Sequence, residues 1–98
     1  MTAAQVDIER LDRATHGEYV ATLPGRPGTA KLTWTQRGDV RHAEHTFVPP
    51  DLRGGGVAGK LVDALIADAR SQGFKVSPDC SYVEAAFRRN PEWDGLRA

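Results

Sequence analysis

Three groups of residues combine type and spacing in ways that could do chemistry. The first is Arg53-Gly54-Gly55-Gly56-Val57-Ala58-Gly59-Lys60, a glycine-dense stretch that runs directly into a helical pattern. Glycine lets the backbone come close to a ligand, and a helix N-terminus offers unpaired N–H groups at the positive end of its dipole. Together these favour an anion, phosphate above all. The second is Cys80, just ahead of Ser81-Tyr82-Val83-Glu84. A thiol before a helix N-terminus loses its proton more readily and becomes more nucleophilic, so it could accept an acyl group or act as a base. The third is the run Val40–Val48, which carries His42, Glu44 and His45. An imidazole or carboxylate there could take a proton from a reacting group, directly or through water. Each has a plainer alternative: a turn before a surface helix, a small buried cysteine, a hydrogen-bonded histidine and a solvated glutamate.

The glycine stretch admits two specific readings. Gly54 to Lys60 follows the nucleotide-binding P-loop, but Leu61 stands where that loop needs a hydroxyl for magnesium. A loop that holds phosphates by backbone amides alone needs no such hydroxyl. Arg53-x-x-Gly56-x-Ala58 suits that second kind.

The elements that must position these groups follow from periodicity. Val57, Leu61, Leu65 and Ala69, flanked by Ala58, Val62 and Ile66, recur at helical spacing and predict a helix over about Gly56–Gln72. Gly73 is placed to end it. Upstream, Val6, Ile8 and Leu11 suggest a short strand, Thr15-His16-Gly17 a turn, and Glu18–Leu23 a second strand. Pro24–Gly28 is a loop. In Thr29–Gln36, Ala30, Leu32 and Trp34 share one face. Arg37-Gly38-Asp39 closes a hairpin into Val40–Val48. Regular alternation there puts His42, Glu44, Thr46 and Val48 on one side and Ala43, His45 and Phe47 on the other. Pro49-Pro50 ends that strand. After the helix, Lys75–Pro78 reads as a strand parallel to Val40–Val48, since a helical crossover joins them. Ser81 as N-cap and Glu84 three residues on form a capping box for a helix from Tyr82 to about Arg89. Asn90-Pro91 stops it, and Trp93 and Leu96 fold back on the core. The expected fold class is α+β: a mostly antiparallel mixed sheet, one parallel pair, and two helices chiefly on one face.

Composition narrows the function classes. The 98 residues suggest one domain over 1–98. Thirteen basic and thirteen acidic side chains cancel, which argues against a general nucleic-acid or anionic-membrane surface. A lone cysteine excludes an internal disulfide and suits a reducing compartment. No apolar run reaches membrane-spanning length, and no signal-peptide pattern opens the chain, so a cytoplasmic location is expected. A monomer is expected, with a weak dimer as the alternative, because no long apolar edge strand is evident. No metal is called for.

The order His45-Thr46, Val48-Pro49, Arg53-Gly54, Gly56-Val57-Ala58, Lys60-Leu61-Val62, then Pro78, Cys80, Val83, Arg88-Arg89 and Pro91-Glu92 resembles small GNAT-like N-acetyltransferase-domain proteins of the YjdJ type. The resemblance covers roughly residues 15–96. It implies a splayed parallel strand pair that binds acetyl-CoA, with the pantetheine arm along Val40–Val48 at Phe47 and Val48. The pyrophosphate would lie on Arg53, Gly54, Gly55, Gly56, Val57, Ala58, Gly59 and Lys60. It further implies transfer of the acetyl group to an amine acceptor. Relatives commonly read His-Thr-Glu-Val where this chain has His45-Thr46-Phe47-Val48. Ala86 and Asn90 stand where relatives often carry tyrosine and histidine. His42, Glu44, His45, Cys80 and Tyr82 remain, and Cys80, His45 and Tyr82 are the expected catalytic set. Three classes follow: an N-acetyltransferase, an acyl-CoA-binding module with little turnover, or a non-catalytic interaction domain.

Overall fold

Alternation in two neighbouring strands sets where the core lies. A computed structural model describes residues 6–98. The strands are β1 (Asp7–Asp12), β2 (His16–Thr22), β3 (Ala30–Arg37), β4 (Val40–Phe47) and β5 (Lys75–Pro78). They form one sheet in the order β1-β2-β3-β4-β5. The first four pair antiparallel, and β4 and β5 pair in parallel through Val40↔Lys75 to Ala43↔Pro78. Tyr19 and Ala21 of β2, and Ala30, Leu32 and Trp34 of β3, are buried on one face. Helix α1 (Val57–Gln72) covers that face with Leu61, Val62, Leu65, Ile66 and Ala69. Leu61 and Leu65 are fully buried, and each contributes roughly 1.5–3 kcal/mol by leaving water. Helix α2 (Ser81–Arg89) adds Val83, Ala86 and Phe87. A 3₁₀ turn at Pro91–Leu96 brings Trp93 edge-on to Phe87, with ring centres 5.5 Å apart.

Polar groups tie the strands to the helix from within. The Tyr19 hydroxyl donates to Asp68 Oδ2 at 2.8 Å and accepts from Arg41 Nη1 at 2.8 Å. Arg10 Nε donates to the same carboxylate at 2.9 Å. The Arg41 guanidinium lies 3.6 Å from the Trp34 ring centre and 4.2 Å from that of Phe74. Burial, reinforced by the bond to Asp68, pushes the Tyr19 hydroxyl well above its ordinary pKa, so it remains a donor.

Three expectations change here. His16 and Gly17, expected in a turn, belong to β2. Gly17 lies opposite Trp34, and a Cβ there would sit 2.6 Å from the indole ring. This glycine therefore serves close packing inside a strand. The expected strand Glu18–Leu23 is accordingly shifted to His16–Thr22. The faces of β4 also differ from regular alternation. Thr33 pairs with His45 and Trp34 with Ala43, leaving Glu44 as an extra residue. This bulge rotates everything beyond it. Ala43 consequently shares the helix-side face with Thr46, opposite Leu32, while His42, His45 and Phe47 share the outer face. Phe47 is 55% exposed there.

Candidate functional site

The glycine stretch is held in place by the turn before it. Residues Pro50–Leu52 form a 3₁₀ turn with Leu52 buried. Asp51 anchors that turn to the loop before β3: its carboxylate accepts from the Gly28 N–H at 2.9 Å, and its carbonyl accepts from Arg26. Arg53 Nε donates back to the Val48 carbonyl at 3.1 Å. Gly54 (φ 83°) and Gly56 (φ 73°) then take left-handed conformations that side chains disfavour. Gly56 ends as the N-cap of α1, with no side-chain cap and no acidic residue in the first turn. The positive end of a sixteen-residue helix is thus not neutralised by its own sequence.

That end faces an open cleft of about 440 Å³. Thr46 and Val48 from β4, Leu52, Arg53, Gly54 and Gly56 from the turn and loop, Val57, Ala58 and Gly59 from α1, and Tyr82 from α2 line it. Eight residues of the expected site are therefore together: Val48, Arg53, Gly54, Gly56, Val57, Ala58, Gly59 and Tyr82. Gly55 and Lys60 are exposed beside the loop, outside the lining, and Phe47 lies on the opposite face of the sheet.

Cys80 stands at the edge of this cleft. Its Sγ is 3.5 Å from Oγ1 of Thr46, a lining residue, and its N–H donates to the Ala43 carbonyl at 2.9 Å. Cys80 itself is the N-cap of α2, with extended backbone, and the helix begins at Ser81. This corrects the expected capping box. Ser81 is already helical, and no side chain caps the helix. Glu84 instead accepts from Arg88 at 2.9 Å and Arg97 at 2.7 Å. Two guanidiniums thus share the carboxylate, which is left with no bond back to the start of the helix. Partial burial pushes the Cys80 thiol up. The Thr46 hydroxyl and the backbone N–H groups of Val83, Tyr82 and Thr46 outweigh it, and the net direction is down. The thiol here therefore loses its proton more readily than a free cysteine does.

On the outer face the structure pairs two residues that spacing did not connect. His42 Nδ1 lies 2.9 Å from Asp79 Oδ2, and Ser77 Oγ donates to Asp79 Oδ1 at 2.6 Å. The Ser77 hydroxyl bond holds the Asp79 carboxyl below its usual range against a small burial cost, and His42 adds to the effect. An ionised carboxylate accepts only, so the proton of the imidazole sits on Nδ1. His45 is exposed farther along the same face. Thr46 and Leu52 were also missed as lining residues. The bulge that turns Thr46 toward the cleft leaves no mark in the sequence, whereas the Pro-Pro-Asp-Leu turn could have placed Leu52.

Among the described residues no helix is long and apolar enough to cross a membrane. A family model described as GCN5-related N-acetyl-transferase matches residues 18–96.

Proposed function

Since the chain belongs to the GCN5-related N-acetyltransferase family, we propose that it binds acetyl-CoA in this cleft and transfers the acetyl group to an amine. The observation that carries this reading is the meeting of two helix N-termini without side-chain caps at one cleft, with a thiol at the second. The pyrophosphate lies against the amides of Gly54–Gly59, where the α1 dipole favours its charge. The pantetheine arm follows β4 beyond Ala43, where β5 no longer pairs with it. That stretch leaves backbone N–H groups able to stabilise a developing oxyanion.

Cys80 attacks the thioester carbon as the thiolate, and the Tyr82 hydroxyl protonates the departing CoA sulfur. The amine then attacks the acetyl-cysteine, its nitrogen bonds to the carbonyl carbon, the Cys80 sulfur leaves as the thiolate, and the proton shed by the nitrogen passes through solvent to restore the Tyr82 hydroxyl. His45, on the outer face, lines the approach of the amine. Gly55 and Lys60 lie where they can meet phosphate at the rim. The test is calorimetric titration with acetyl-CoA, followed by mass measurement of the protein mixed with acetyl-CoA alone. Binding together with acetylation of Cys80 is expected. Absence of binding at millimolar ligand would overturn the reading. Binding with no acetylation of Cys80 and no transfer to any amine would favour an acyl-CoA-binding module, a reading that Phe47 in place of an acid supports.

A further inference from the structure

We propose that His42, oriented by Asp79, is the general base that takes the proton of the acceptor amine on the outer face of the sheet. This rests on the acetyl-transfer reading and deepens it.

The sheet parts beyond Ala43 and Pro78. β4 and β5 stay paired only through Ala43↔Pro78, while β4 runs on to Phe47. His42 and Ser77 are paired in the register one step before that limit. The bond from Cys80 N–H to the Ala43 carbonyl closes the base of the gap. Asp79 directly precedes Cys80, and His42 directly precedes Ala43. The dyad and the thiol thus lie on two sides of one junction. Cys80 meets Thr46 on the helix side, and His42 projects from the other side because Arg41 and Ala43 on either side of it are buried. The parting of the two strands is thus where an acyl group delivered from the helix side can meet an amine arriving from the outer face.

The chemistry of the pair suits that place. With Nδ1–H donated to Asp79, the lone pair on Nε2 is free to accept a proton. The carboxylate also stabilises the imidazolium that results. Ser77 fixes the second carboxylate oxygen, so Ser77 of β5, Asp79 just beyond it and His42 of β4 form a chain of three side chains. The groups around His42 are Asp79 and Ser77 from β5 and its exit, Thr35 opposite on β3, and Glu44 and His45 along β4. Arg37, from the end of β3, also acts on Asp79. His45 shares the face but has no hydrogen-bonded carboxylate among the described residues.

The step balances without a further reactant. The amine lone pair forms the N–C bond, and one N–H proton passes to His42 Nε2. The carbon–sulfur bond breaks, and the thiolate leaves with the electron pair. The imidazolium returns its proton to solvent, which resets the base.

The experiment uses acetyl-CoA and benzylamine, read by CoA release and product, for the unmodified protein, His42→Gln and Asp79→Asn. Calorimetry with acetyl-CoA is run on all three. The expected result is unchanged acetyl-CoA affinity, with kcat for His42→Gln lower by roughly a hundredfold or more. Asp79→Asn should lose less, and the loss should fall on kcat with KM for benzylamine unchanged, because the imidazole remains but the carboxylate that orients it is gone. Added imidazole should restore part of the His42→Gln rate. Unchanged kcat and pH profile in His42→Gln would overturn the proposal while leaving acetyl transfer intact. Tight acetyl-CoA binding without amine transfer by the unmodified protein would overturn it as well. Absence of acetyl-CoA binding would instead remove the reading on which it stands.

Discussion

The two ends of α1 are built by opposite rules. At the C-terminal end Gly73 takes φ 81°, its N–H donates to the Ala69 carbonyl at 2.9 Å, and Arg70 sits in the last turn. Loose carbonyls are capped there, and a cation complements the dipole. At the N-terminal end Gly56 offers no side chain, and no acid stands in the first turn. The first turn of α2, which meets the same cleft, likewise lacks a side-chain cap, although Glu84 lies within it. An end that serves only stability is satisfied internally. The N-terminal ends leave their donors available, as the proposed acetyl-CoA site requires, and forgo the roughly 1 kcal/mol that a good N-cap supplies.

That contrast can be broken at each end. The largest effect is expected at the thiol. Cys80→Ala should abolish transfer while sparing acetyl-CoA affinity, as read by turnover and calorimetry on one preparation; full turnover would remove Cys80 from the mechanism. Cys80→Ser sharpens the point, because serine is a good N-cap. It should raise Tm by up to a few degrees and still lose transfer, showing that the position gives up stability for chemistry. Gly56→Leu comes next. A leucine at positive φ both strains the backbone and crowds the cleft, so acetyl-CoA should bind about a hundredfold more weakly, equivalent to about 2.8 kcal/mol. Circular dichroism should show the fold retained. Gly73→Ala is the control at the other end. It should cost about 1 kcal/mol, a Tm drop of about 4–8 °C, with acetyl-CoA affinity unchanged. A loss of affinity there would mean that the two ends are not independent.

The smallest effect concerns acid. Arg97 and then Arg88 hold the Glu84 carboxyl below its ordinary pKa, and Ser77 and His42 do the same for Asp79. Both groups are depressed in the folded state. Their stabilisation is therefore present above the unfolded carboxylate pKa of about 4 and is lost as pH falls through the lower folded values. Glu84→Gln should lower Tm slightly at neutral pH and make the decline below about pH 4 correspondingly shallower, because the same surface ion pairs are lost in both cases.

Much of the molecule was legible without coordinates because it depends on local repeats. Ala30, Leu32 and Trp34 share a face since a strand repeats every two residues, and Leu61, Leu65 and Ala69 do so since a helix repeats every 3.6. Gly73 and Asn90-Pro91 stop their helices for reasons contained in single residues. The parallel β4–β5 pair followed from the length of the crossover, and the loop ahead of α1 from its glycines. Other features were settled only when distant segments met. The bulge at Glu44 is a choice of register against β3, and it turned Thr46 into the cleft and His45 and Phe47 away from it. Glu84 left the expected capping box because Arg97, thirteen residues on, offered a charged partner. His42 and Asp79 stand 37 residues apart and share no periodicity. Sequence by itself determined the elements and the loop, because dihedral preference and apolar spacing act over a few residues. Tertiary structure decided which polar side chains face one another, because a hydrogen bond between elements depends on register and approach that no local pattern encodes.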